Sequence, residues 1–249
     1  MIQKFNLAWL LRLFSSSIGR KLVMGVTGLG LSGFLVVHLA GNLFLYQGKE
    51  AFDGYAHKLH EQEWLPIAEA GLFGLFLLHI VLAFVTTFEN RRARTQRYAV
   101  TQSKRDDRTF PSGAPPSSWM FVSGALVLGF LILHIIDMKL QLRTDVKYAG
   151  EHEAFLNTFA VLSNPISRVV YALGTLVLGV HLSHGVSSAF QSLGLTHPKY
   201  TPLVKFGGWL FAVVIAAGFC SLPLVVPEIH ALSQQWNASQ PGETQAPAE

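Results

Sequence analysis

Charge is scarce in this sequence. Asp, Glu, Lys and Arg make up 14% of its 249 residues, where soluble domains carry roughly 25%. So few charges cannot coat an ordinary water-facing surface, so much of the surface is expected to face lipid. Cysteine is scarcer still. With Cys220 alone, the chain can form no internal disulfide, and by itself it can hold no Cys-ligated iron–sulfur cluster or Cys-rich zinc site. Cys220 lies in an apolar run and reads as a small core or lipid-facing residue. No soluble domain and no convincing internal repeat stand out. The opening "MIQKFNLAWLLRLFSSSIGRK" does not read as a signal peptide. Its apolar run is short, Arg12 interrupts it, and no small-x-small cleavage site precedes the next apolar span.

What the sequence has instead is apolar length. A membrane crossing needs about 20 mostly apolar residues, and five segments qualify: Leu22–Tyr46, Pro66–Phe88, Trp119–Met138, Pro165–Phe190 and Leu203–Val226. Pro66 and Pro165 sit at helix starts, where proline is tolerated. The turn-rich "TFPSGAPPSS" (Thr109–Ser118) reads as a linker. Leu7, Leu10, Leu11, Phe14 and Ile18 fall at helical spacing, which suggests an amphipathic helix lying on the membrane surface. The expected fold is all-α: a five-transmembrane-helix bundle with an N-terminal interfacial helix. It forms one membrane domain over residues 1–230, followed by a polar, disordered tail over 231–249.

Orientation follows from Lys and Arg placement. Thirteen of the nineteen fall in the N-terminal segment, the loop between spans two and three, and the loop between spans four and five. Those segments are expected inside, with the N-terminus, and the C-terminus outside. The dense run from Arg91 to Arg108 reads as a solvated face against lipid or a partner rather than a nucleic-acid site.

Spans one to four each carry a histidine well inside: His38, His79, His134 and His181. A polar imidazole in hydrocarbon is costly unless something binds it. Any one of them could be satisfied by a neighbouring hydroxyl or carbonyl. Four together call for a common cause, and depth offers one. His38 stands 17 residues after Lys21, about 25 Å along a helix running outward. His134 stands 15 residues after Trp119, about 22 Å along another. His79 and His181 lie about 20 Å and 24 Å down spans running inward. The four sort into an outer pair, His38 with His134, and an inner pair, His79 with His181.

Two stacked pairs are what two bis-histidine haems would require, held in the core of the first four helices. Gly41 and Gly185 share faces with His38 and His181 and would leave room for the macrocycle. Zinc is the competing metal, but it gathers its ligands around one ion and often uses carboxylate or cysteine. His184 shares a face with His181 and competes with it as a ligand.

The pattern resembles the di-haem cytochrome b membrane subunit of succinate:quinone oxidoreductases, in the five-span, single-polypeptide form found in succinate dehydrogenases and fumarate reductases. The matching stretches are "HLAGNLFLYQGKEAFDGYAHKL" from His38, "LLHIVLAFVTTFENRRAR" around His79, "LILHIIDMK" around His134 and "GVHLSHGVSSAFQSLGLTHPKY" from His181. They cover nearly everything from Ser16 to Tyr200. The resemblance implies that His38 and His134 hold the distal haem and His79 and His181 the proximal one. The family ligand stands thirteen residues before a helix-ending glycine, a relation that His181 has to Gly194 and His184 does not. That leaves His184 near a haem propionate or a neighbouring residue.

The resemblance further implies two haem b cofactors, a quinone (menaquinone), and partners in a flavoprotein and an iron–sulfur subunit at a bacterial inner membrane. The chain would then belong to an enzyme complex without itself carrying the succinate site. For the quinone, His60, Glu61 and Glu63 are candidates on the outer side; Asp137 and Arg168 also lie at that level, and Arg168 could pair with a haem propionate. Some family members carry a glutamate two residues before the fourth-span ligand. Here that position is Gly179, which puts a proton path of that kind in doubt and favours succinate oxidation. Two rivals stand: a haem-free anchor, and the cytochrome b subunit of another respiratory complex such as a hydrogenase or formate dehydrogenase.

Overall fold

The computed structural model describes residues 14–93, 116–150 and 152–239. The expected interfacial helix falls largely outside them, as do most of the cationic loop after Arg92, the linker up to Pro115, and residues 240–249. Within them the fold is all-α. Helix α1 (Ser17–Asn42) continues as a 3-10 turn to Gln47; α2 is Lys49–His60 and α3 Leu65–Arg92. Helix α4 (Pro116–Ile135) runs on as a π-turn through Leu140. Helices α5 (Ala154–Ser163), α6 (Pro165–Ser192) and α7 (Thr201–Ser239) follow.

Local chemistry sets several ends. The Ser16 hydroxyl accepts from the Gly19 amide at 2.9 Å, opening α1. The Asn164 side chain accepts from the Ile166 and Ser167 amides, with Pro165 as the first residue of α6. Helix α6 closes on Gly194 at φ 78°. There the Leu195 amide donates to the Phe190 carbonyl and the Gly194 amide to that of Gln191, both at 3.0 Å, a pairing that needs a left-handed residue.

Five helices are long and apolar enough to cross a membrane: α1 with its turn, α3, α4 with its turn, α6, and α7 as far as Leu232. This is the build of a multi-pass membrane protein. Helix α1 packs against α3 and α6, α4 packs against α6, and α7 lies along α6 and touches α1. The four histidine-bearing helices are thus ordered α3–α1–α6–α4. This sets α1 across from α4 and α3 across from α6, each pair facing over the core. Bare glycines allow the closest approaches. A Cβ on Gly25 would lie 3.3 Å from the Ala189 carbonyl oxygen, and one on Gly179 would lie 2.6 Å from the Ala216 Cβ.

Three features depart from expectation. Helix α5 was not foreseen, yet its Phe155 and Val161 are among the most buried side chains of the core. Helix α7 runs to Ser239 rather than stopping near Val226, so the start of the expected tail is helical. It does so through Pro223 and Pro227. Pro227 has no amide hydrogen to give the Pro223 carbonyl one turn back. The Arg168 guanidinium of α6 supplies the missing donor, with Nε 3.1 Å from that oxygen.

Candidate functional site

Helices α1 and α4 carry His38 and His134 to the middle of the bundle, where their ring centroids are 5.8 Å apart and nearly perpendicular. Each ring packs with a phenylalanine one turn earlier on its own helix. Phe34 stacks on His38 at 5.2 Å, and Phe130 lies 6.1 Å from His134. Phe219 of α7 and Tyr171 of α6 close the surround, at 5.5 Å from His38 and 5.9 Å from His134. The Asn42 amide donates to the His38 carbonyl at 2.8 Å. A metal–imidazole bond of about 2 Å puts the centroids of two opposed ligands roughly 6 Å apart, so the spacing suits a shared metal.

His79 and His181 come from α3 and α6, the other facing pair, near enough that a charge on His79 would be felt at His181. Their hydrogen bonds match. His79 Nδ1 lies 3.0 Å from the Thr27 hydroxyl, which donates its only proton to the Met24 carbonyl. His181 Nδ1 lies 3.2 Å from the Ser123 hydroxyl, which donates its only proton to the Met120 carbonyl. With that proton committed, each hydroxyl can only accept from the imidazole. Where the hydroxyl keeps its proton on that carbonyl, the ring hydrogen sits on Nδ1 and Nε2 is the nitrogen left to bind a metal. A metal-ligating histidine is held in this way by its outer partner. A Cβ on Gly28 would lie 3.3 Å from His79 Cε1, and one on Gly124 would lie 3.2 Å from His181 Cε1. Each inner ring thus rests on a backbone stretch with no side chain.

Thr27 and Ser123 were missed as site residues, although the sequence carries a signal for them. Met24, Val26, Thr27, Gly28, Gly33, Phe34, Leu35 and His38 recur as Met120, Val122, Ser123, Gly124, Gly129, Phe130, Leu131 and His134, each 96 positions on. This is an internal repeat, contrary to expectation. Each copy supplies one histidine of the pair shared by α1 and α4, and the hydroxyl–glycine seat for a histidine of the other pair.

The donor set fits haem. Among the described residues, no three His, Cys, Asp or Glu side chains converge as a metal site. A bare zinc ion wants about four ligands. Two neutral imidazoles at each level suit a metal whose remaining donors come from a macrocycle.

The other candidates are placed as follows. His184 is half-buried beside His181, and its carbonyl accepts from Ser187. A Cβ on Gly41 would fall 2.6 Å from the Tyr55 hydroxyl, so Gly41 seats α2 against α1; Gly185 faces Met120 at 3.8 Å. Arg168 is engaged with α7, at Pro223 and at Glu228, 2.8 Å away. His60, Glu61 and Glu63 are exposed, with His60 Nδ1 bonded to the Ala56 carbonyl at 2.7 Å and Glu61 paired with His57 at 3.2 Å. The structure brings none of these three to the histidine core. Gly179 lies where α6 and α7 touch, with no room for a glutamate side chain.

No family model, curated protein or solved structure matches the chain.

Proposed function

We propose that this chain is the di-haem cytochrome b membrane subunit of a succinate:quinone oxidoreductase. Its part is to connect an iron–sulfur partner on the inner side with a quinone on the outer side. The observation that carries the reading is the matched hydroxyl contact at Nδ1 of His79 and of His181. Two imidazoles on facing helices each set Nδ1 against a hydroxyl that donates to its own helix, an arrangement in which Nε2 would be the ligand nitrogen. Histidines satisfied only by the protein would have no need of that arrangement twice.

His38 and His134 would hold one haem, and His79 and His181 the other. When bound, each haem supplies a one-electron carrier between two neutral imidazoles. Thr27 and Ser123 fix ring orientation and raise the basicity of the ligating nitrogen. The packed faces of α1, α4, α6 and α7 keep water from the core. The excess of Lys and Arg on the segments before α1 and after α3 and α6 supports an inner N-terminus, where the flavoprotein and iron–sulfur subunits would dock. The menaquinone preference, the bacterial inner membrane and the direction of succinate oxidation rest on the resemblance and on Gly179.

Purification of the tagged chain from its own membranes tests this. The expected result is a covalently flavinylated protein and an iron–sulfur protein in the same complex, with succinate reducing the b-type absorbance. Recovery of a nickel or molybdenum enzyme instead assigns the chain to another respiratory complex.

A further inference from the structure

Where α1 begins and α3 ends, the two helices enclose a cavity of about 240 Å³. Ser17, Arg20 and Lys21 line it from α1, and Thr86, Glu89 and Asn90 from α3. Arg20 is the better buried of the two cations, with its side chain only 13% exposed. Its terminal nitrogens are engaged. Nη1 donates to the Phe14 and Ser15 carbonyls at 3.0 Å and 2.8 Å, and Nη2 donates to Glu89 Oε2 at 2.6 Å. Its Nε is buried and has no partner. A buried donor on a charged group is costly to leave unpaired, and the adjoining cavity has room for the missing acceptor.

The rest of the lining favours an anion. Lys21 is exposed, and among the described residues no hydrogen bond engages the side chains of Ser17, Lys21 or Asn90. They offer a hydroxyl, an ammonium and a carboxamide, all able to donate. Ser17 is the first residue of α1, so the positive end of that helix lies at the cavity. The Thr86 hydroxyl is committed to the Leu82 carbonyl at 2.7 Å. Glu89 is the carboxylate of the lining, and Arg20 pairs with it. Two cations against one carboxylate leave a positive charge unmatched, and the exposed Arg91 and Arg92 follow Asn90 directly.

Depth says what kind of anion. Both helices are membrane spans. Ile18, next to Ser17, and Phe88, next to Glu89, are exposed. The exterior thus changes from apolar to charged within one residue of the lining, as it does at headgroup level on a spanning helix. Basic recesses between helices at that level suit phosphate headgroups. Liquid water takes about 30 Å³ per molecule, so the cavity can take a phosphate group and still hold water. A lipid phosphate bound here keeps its acyl chains on the apolar perimeter, a surface that a soluble anion does not use.

We propose that Arg20, Lys21, Ser17 and Asn90 bind the phosphate of an anionic phospholipid between α1 and α3. Arg20 Nε and the Lys21 ammonium donate to its oxygens, and the lipid ties the start of α1 to the end of α3. The site is independent of haem and of the succinate reading.

The test uses the whole complex, delipidated in detergent, and native mass spectrometry with dioleoylphosphatidylglycerol as the probe. Dioleoylphosphatidylcholine and inorganic phosphate are the comparisons. Phosphatidylglycerol should bind more tightly than either. Lys21→Gln should raise its Kd about fivefold, and Arg20→Gln at least as much. Lys58→Gln, an exposed lysine at the other end of α1, should leave it unchanged. If Arg20→Gln does not assemble, Lys21→Gln decides alone. A Kd within twofold of wild type in Lys21→Gln, or an equal rise in Lys58→Gln, overturns the assignment. Phosphatidylcholine binding as tightly removes the need for an anion, and inorganic phosphate binding as tightly makes this a soluble-anion site; either result overturns the lipid.

Discussion

The imidazoles of His38 and His134 meet across the bundle at 5.8 Å, although the helices that carry them, α1 and α4, reach each other only through the core. His79 and His181 are carried by the other two histidine-bearing helices, α3 and α6, near enough that a charge on His79 would be felt at His181. On the proposed reading, removing one member of a pair takes a ligand from its partner's haem and leaves the other pair intact. His38→Ala and His134→Ala should each abolish one b-type haem signal, and His79→Ala and His181→Ala the other. Redox titration of the four variants checks this; loss of the same signal in His38→Ala and His79→Ala would overturn the pairing.

Thr27 and Ser123 act on the inner pair through Nδ1. Thr27→Val keeps the shape and removes the acceptor, and Ser123→Ala removes the other. Each should keep two haems per chain and raise one midpoint potential by on the order of 40 mV, one hydrogen bond of about 1 kcal/mol for a one-electron couple. The rise follows because an imidazole with no acceptor at Nδ1 is a poorer donor to the oxidised metal. Potentiometry reads the shift, and the other potential should stay in place.

The contact between Arg168 and Pro223 exists because Pro227 leaves a carbonyl free. Arg168→Leu should destabilise the bundle by about 1–3 kcal/mol. Pro227→Ala restores a helical amide and should recover part of that loss in the double variant. Thermal unfolding in detergent of the two single variants and the double variant measures the coupling, and strict additivity would contradict it.

Gly179 lets α6 and α7 touch. Gly179→Glu would force a side chain against Ala216, whose Cβ is already 2.6 Å from where the new Cβ would sit. The expected cost is about 1–3 kcal/mol from overpacking, plus burial of a carboxyl group. It should appear as a lower unfolding temperature and a separated α7, read by crosslinking of Cys220 to a cysteine placed on α6.

Much of this was legible in the sequence. The spans show as apolar length, and the histidine pairing follows from counting residues along helices of known rise. Other features needed coordinates. Arg168 stands at the right depth for a propionate, but its partners lie 55 to 60 positions away and depend on a backbone carbonyl freed by proline. Helix α5 is too short to signal itself by apolar length, and its burial comes from packing against α6, α7 and α2. Asp137 reads as an ordinary charge at a helix end until its complete burial is seen. The repeat that carries Thr27 and Ser123 was readable, but its identical positions are scattered among apolar residues that differ freely between the copies.

The central claim is that imidazoles from facing helices share iron at two levels. The most direct measurement is the ratio of protohaem to polypeptide in the purified chain, with low-temperature EPR of the oxidised protein. The account predicts two haems per chain, each with a low-spin bis-imidazole signal. An absence of haem, or a single haem that survives replacement of both His79 and His181 and equally of both His38 and His134, would contradict it.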